Sequence, residues 1–212
     1  MSRNAGYRRD ASGRIETSGG SVSRPRARAS EVPEKRGGAV KALVIFAVIL
    51  LAVAGGMYGY DFYESYSAGK NSEQALAVLN EAMASGADID DYLGIIEIPA
   101  IEVTLPVFNS WDYGKLKTAP CVYGGDIENN SAIIIGHDYK AHFADLPQLK
   151  YGDEVSVKTV DGTLYKYKVK EITEIDGSDI AGMYSGNWDL TLYTCNSTGA
   201  KRITVRCDRT LW

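Results

Sequence analysis

The 212-residue chain predicts a mainly β fold: a barrel of about eight strands, closed or nearly so, with short helices, preceded by a transmembrane helix. Three observations carry this expectation. From Tyr92 onward, short runs of residues alternate between apolar and polar, the period of a half-buried strand. Asp161-Gly162 lies between two such runs and has the chemistry of a hairpin turn. Residues 42–60 form nineteen consecutive positions without a charge, Leu43, Val44, Ile45, Phe46, Val48, Ile49, Leu50, Leu51 and Val53 among them.

The elements follow in order. Residues 1–41 hold ten Lys/Arg and four Asp/Glu, while residues 42–212 hold 13 and 23. The net charge of −4 therefore conceals a basic first segment and an acidic remainder. Residues 1–41, rich in Arg, Ser and Gly, read as a disordered cytoplasmic tail. Residues 42–60, as a helix rising about 1.5 Å per residue, span roughly 28 Å, close to the hydrocarbon thickness of a bilayer. Lys35, Arg36 and Lys41 flank one side and Asp61 and Glu64 the other, so the positive-inside rule puts the N-terminus in the cytoplasm and the remainder outside, in a single pass. A cleaved signal peptide ending near Ala52-Val53-Ala54 competes with this anchor, but the apolar stretch exceeds a usual signal core.

Residues 61–91 read as a helical juxtamembrane linker. Asn71 or Ser72 is expected to cap a helix with Leu76, Leu79 and Met83 on one face, and Gly86 to stop it. Residues 92–212 form the barrel. Strands are expected at residues 94–98 and 102–107 around Pro99, at 131–135, at 154–159 and 163–175 either side of the Asp161-Gly162 turn, and at 190–194 and 202–207. A short helix is expected at residues 141–149, with Phe143, Leu146 and Leu149 at helical spacing.

The chemistry gathers at strand ends. Thr191-Leu192-Tyr193-Thr194-Cys195 ends an alternating run on a thiol, beside the polar turn Asn196-Ser197-Thr198-Gly199. Lys201-Arg202 opens the next run seven residues later. Ala132-Ile133-Ile134-Ile135-Gly136-His137 ends on one of two histidines, after a glycine that permits close approach. Thiol, imidazole and guanidinium are the groups that acyl transfer through a thioester requires. Each has a bland alternative. A free cysteine is most often a small buried hydrophobe, and Cys121 and Cys207 are read that way, a bridge between them having no support in sequence. His142 competes with His137 but lacks a strand-end position. Arg206 shares a strand face with Arg202 but lies roughly 13 Å further along it, and Arg209 is more distant still.

These residues resemble a known family. Thr191 to Cys195 is similar to the TLxTC signature of sortases, the cysteine transpeptidases of Gram-positive cell surfaces. Gly136-His137 resembles the family's histidine, Arg202 falls where the family carries its arginine, and the order His, Cys, Arg agrees. The resemblance covers roughly residues 92–212. It implies an eight-stranded sortase-like β-barrel and catalytic roles for His137, Cys195 and Arg202. It further implies cleavage of an LPxTG-like sorting motif between Thr and Gly, with transfer to an amine of a cell-wall precursor or a pilin lysine. The Cys-to-Arg connection is shorter than in many sortases, so the subclass stays open. Some sortases bind calcium through acidic loops. Asp126, Glu128 and Asp138 are acidic and loop-like here, but their spacing matches no calcium loop, and no cofactor or metal is expected. Two other functions compete: a cysteine hydrolase that releases peptide to water, and a non-catalytic peptide-binding factor for surface or pilus assembly. Nucleic acid is not an expected partner, because the globular part is acidic.

Overall fold

The computed structural model describes residues 36–87, 89–196 and 199–210, so most of the expected basic tail lies outside the described residues. Ile49 onward forms one compact unit, distinct from the segment before it.

The first element, α1 (Arg36–Ser85), is a continuous helix of 50 residues. It is long and apolar enough to cross a membrane, and its large apolar side chains from Val40 to Met57 are exposed. The break expected at Asn71 or Ser72 does not occur. Ser72 is instead a buried mid-helix residue whose hydroxyl donates to the Thr118 carbonyl and meets His142 Nε2 at 3.0 Å. With its side chain engaged by the barrel, Ser72 has no need to compete for helix backbone groups, which is what makes serine a capping residue elsewhere. Farther along, Leu79 is fully buried while Leu76 and Met83 are half-buried. Gly86 ends the helix at φ +71, a conformation glycine adopts without penalty.

Eight strands follow: β1 (Tyr92–Ile98), β2 (Val103–Phe108), β3 (Cys121–Gly124), β4 (Ala132–Ile135), β5 (Glu154–Thr159), β6 (Leu164–Asp176), β7 (Leu190–Cys195) and β8 (Lys201–Arg209). They close into a barrel in the order β1-β2-β3-β4-β7-β8-β6-β5, which removes every sheet edge. Seven of the eight correspond to the expected runs. The helix expected at residues 141–149 is a series of turns ending in a 3-10 turn over Leu146–Gln148. Pro147 explains this: it lacks the N–H that an α-helix would need there. The expected apolar face is nevertheless buried, through Phe143, Leu146 and Leu149.

Alternation divides the side chains between two cores. Ile134, Leu190, Leu192, Ile203, Val205 and Cys207 point into the barrel and pack with residues of β1, β2, β5 and β6. Ile133 and Ile135 point outward and pack with Phe108, Cys121, Leu116 of α2 (Tyr113–Leu116) and Met183 of α3 (Ile180–Tyr184). Tyr123, Ile175 and Tyr193 border this outer cluster. Cys121 and Cys207 thus lie on opposite sides of the barrel wall, and all three cysteines are free.

Candidate functional site

The site follows from one register. Strands β4 and β7 are parallel, with Ile133 opposite Thr191 and Ile135 opposite Tyr193. Gly136 N–H continues the ladder by donating to the Tyr193 carbonyl at 3.0 Å. Two residues past Ile135 is His137, and two past Tyr193 is Cys195. Parallel neighbours are about 4.8 Å apart, so both residues emerge at the same end of adjacent strands. Both belong to the outward-facing series, residues 133, 135 and 137 and residues 191, 193 and 195. On the far side of β7, antiparallel β8 pairs Arg202 directly with Cys195. Thiol, imidazole and guanidinium therefore share one end of three consecutive strands, bordering the outer cluster.

Arg202 folds over the β7–β8 hairpin. Its Nη1 donates to the Gly199 carbonyl at 2.7 Å, and its charge acts on both Tyr193 and Cys195. Burial pushes the Cys195 thiol above its ordinary pKa; Arg202 opposes that shift and Asp138 adds to it. Burial also pushes the His137 imidazole down, against the carboxylates of Asp138 and Glu64, while Lys117 reinforces the fall. Desolvation disfavours both charged forms, so the resting pair is mainly neutral thiol and neutral imidazole.

The imidazole sits in an aromatic frame. Tyr139 stacks on it, with ring centroids 4.6 Å apart and planes at 24°. Tyr113 meets it edge-on at 6.1 Å. Its buried Nε2 has no hydrogen-bond partner among the described residues. Gly136 has a steric role: a Cβ there would lie 2.6 Å from Phe143 Cδ2. The glycine lets Phe143 pass beneath the turn that delivers His137.

The competing residues lie elsewhere or are otherwise engaged. His142 is fully buried against Ser72, and burial pushes its pKa down to about 4. Arg206, 3% exposed, donates to the carbonyls of Ser185 at 2.8 Å and Gly182 at 2.6 Å and lies 3.4 Å from Glu171 Oε1. It fastens α3 to the barrel wall. Arg209 donates to Asn130 at 3.1 Å, near the start of β4 and so at the opposite end from His137. Asp126 accepts from the backbone N–H groups of Glu128 and Asn129 within its own loop, whereas the Asp138 charge acts on both the thiol and the imidazole. Among the described residues no three His, Cys, Asp or Glu side chains converge as a metal set. Tyr113, Lys117 and Glu64 act on His137 without any local sequence signal, because tertiary packing alone brings them there; Tyr139, two residues on, comes with the same segment.

Comparison with known proteins identifies the family of this fold. The family model described as Sortase domain matches residues 96–210, more than half of the chain. Sortase A of Bacillus anthracis is 27% identical over 77% of this chain and 92% of that protein. Among solved structures, sortase C1 of Streptococcus agalactiae superposes with a TM-score of 0.51 at 28% identity, covering 59% of this chain and 70% of that one. Sortase C of Clostridium perfringens, solved with a C-terminal cell wall sorting motif, superposes with a TM-score of 0.50 at 25% identity, covering 68% of this chain and 90% of that one.

Proposed function

The chain belongs to the sortase family of cysteine transpeptidases, and from that premise we propose a membrane-anchored enzyme in which Cys195, His137 and Arg202 carry the reaction. Residues 42–60 of α1 anchor it in a single pass, with the N-terminus cytoplasmic and the barrel outside, following the basic flank before the span and the acidic flank after it. The substrate is an LPxTG-like sorting peptide of a surface protein. The acceptor is an amine of a cell-wall precursor or a pilin lysine. The observation that carries this reading is the β4–β7 register, extended through the Gly136 bond to Tyr193, together with the direct pairing of Cys195 with Arg202.

In the first half-reaction the Cys195 thiolate attacks the Thr carbonyl carbon of the motif. Arg202 stabilises the negative charge that develops on the carbonyl oxygen through charge-assisted hydrogen bonds. The Thr–Gly C–N bond breaks as His137, protonated, donates to the leaving amine. This leaves a thioester on Cys195 and a neutral imidazole. In the second half, the acceptor amine attacks the thioester and passes a proton to His137. The tetrahedral intermediate collapses to an amide and regenerates the thiolate.

The reactive form is thiolate with imidazolium, yet burial favours the neutral pair on both residues. Only a minor fraction of the enzyme is then competent, set by the gap between the two pKa values. The expected kcat/KM profile is a bell whose acid limb follows the lower, imidazole value and whose alkaline limb follows the thiol.

The test uses the full chain in lipid nanodiscs with a quenched LPxTG-type peptide library, with and without triglycine, read by mass spectrometry. Cleavage after Thr with a triglycine adduct is expected, along with loss of both in Cys195→Ala. Release of free acid irrespective of amine would make the protein a hydrolase instead.

A further inference from the structure

Glu64 of α1 faces the catalytic end of the barrel. Its Oε1 lies 3.0 Å from Lys117 Nζ, on the segment following α2. Burial raises the pKa of the Tyr139 hydroxyl, and the same carboxylate adds to the rise electrostatically. Each partner of this ion pair leads to one side of the imidazole. Tyr139 stacks on His137 at 4.6 Å. Lys117 Nζ lies 5.6 Å from the centroid of the Tyr113 ring, which meets His137 edge-on at 6.1 Å. One turn and more farther along the same helix, Gly69 permits close approach to Ala141, where a Cβ would lie 3.0 Å from the alanine Cβ. Ser72 then engages Thr118 and His142. These contacts seat α1 against both segments that frame His137.

We propose that the barrel-packed part of α1 belongs to the catalytic machinery, with Glu64 a positioning residue that, together with Lys117, sets the orientation and charge state of His137. The proposal rests on the reading of His137 as the acid–base group. It also makes the stretch just beyond the membrane span a component of the reaction centre rather than a spacer.

The electrostatics follow from which charges face the imidazole. Asp138 and Glu64 favour the imidazolium; Lys117 and burial oppose it. Tyr139, its hydroxyl pushed up to about 12, is neutral near pH 7. His142 is neutral too, with a pKa of about 4, and Tyr113 contributes its ring edge. Among the described residues, Glu64 is thus the carboxylate supplied from outside the barrel that acts on His137. Removing its charge lowers the proton affinity of His137 and widens the gap to the thiol. The acid limb of the kcat/KM profile then moves to lower pH and the plateau falls. Removing the Lys117 charge does the reverse on both counts. A merely structural ion pair would not produce opposite signs from its two halves.

The experiment uses the full chain in nanodiscs with 13C-labelled histidine, which gives two resonances because the chain has two histidines. His137 titration and the pH profile of kcat/KM are measured for the wild type, Glu64→Gln, Glu64→Asp and Lys117→Gln. The His142 resonance reports whether α1 stays seated through Ser72. The expected results are a lower His137 midpoint with a several-fold lower plateau in Glu64→Gln, near-wild-type values in Glu64→Asp, and a raised midpoint and plateau in Lys117→Gln. A His137 midpoint that is unmoved, or moves the same way, in both charge variants would overturn the proposal. The titration needs no turnover, so an inactive wild type would sink the proposed function while still deciding this point.

Discussion

Arg202 is the candidate whose role depends most on its shape. It pairs with Cys195 across the hairpin and already donates to the Gly199 carbonyl at 2.7 Å, so it has the fork needed for a developing oxyanion. Arg202→Ala is expected to lower kcat/KM by about 10²- to 10³-fold, the loss typical of a removed oxyanion donor. Arg202→Lys should recover only part, because lysine keeps the charge without the planar fork. Steady-state kinetics on a cleaved peptide check both. Gly136 makes a second residue-scale prediction. With Phe143 2.6 Å from any Cβ placed there, Gly136→Ala should cost about 1–3 kcal/mol of stability, and a second change, Phe143→Leu, should recover part of it in thermal melts. The thiol and guanidinium were legible in the sequence because they end and begin alternating runs, and the imidazole because it ends a continuous apolar run, all three in family order. Glu64 and Lys117 were not. They lie 53 residues apart, and no local pattern announces a contact of that kind.

At the scale of elements, α1 is where sequence and structure part most clearly. Period and capping chemistry predict two helices with a break near Ser72; tertiary contacts to Thr118 and His142 take up the serine and the helix runs through. The consequence is measurable. Leu79→Ala, at a fully buried position on the barrel-packed face, should lower stability by about 2–5 kcal/mol. Val78→Ala, 63% exposed one residue earlier, should stay within about 0.5 kcal/mol. Equal effects at both positions would argue that α1 does not pack on the barrel. β3 has no counterpart among the expected runs because Cys121–Gly124 is four residues long, too short for a period, and gains its place by pairing with β4 and, through Cys121 and Phe108, with β2. Most of the other strands were legible from the inside–outside alternation that a closed barrel demands, and β4 from a continuous apolar run, because both of its faces are buried. α2 and α3, of four and five residues, are held by Asp112 and Asp179 caps and by packing over the outer cluster.

For the whole molecule, pH links stability to the seat of α1. His142 is pushed from an ordinary value of 6.5 down to about 4 in the folded state. The unfolded chain therefore binds a proton between these values that the folded chain refuses. Stability is full above about pH 6.5 and falls as pH drops toward 4, by about 3 kcal/mol for this group. His142→Gln, which retains a polar contact for Ser72, should flatten the fall over that window in denaturant titrations, while carboxylates continue to act below it. The same burial that shapes the His142 titration shapes the active pair. Stability on the acid side follows mainly His142, the more strongly shifted, with a contribution of the same sign from His137, whereas activity follows His137.

The account stands on Cys195 forming a thioester that an amine discharges. The most direct measurement is the intact mass of the full chain, acid-quenched within the first turnover on a cleaved sorting peptide, with and without triglycine. The account predicts an acyl adduct that maps to Cys195, disappears when triglycine is added and is absent from Cys195→Ala. Cleaved peptide with no adduct on the protein, and undiminished cleavage in Cys195→Ala, would contradict it.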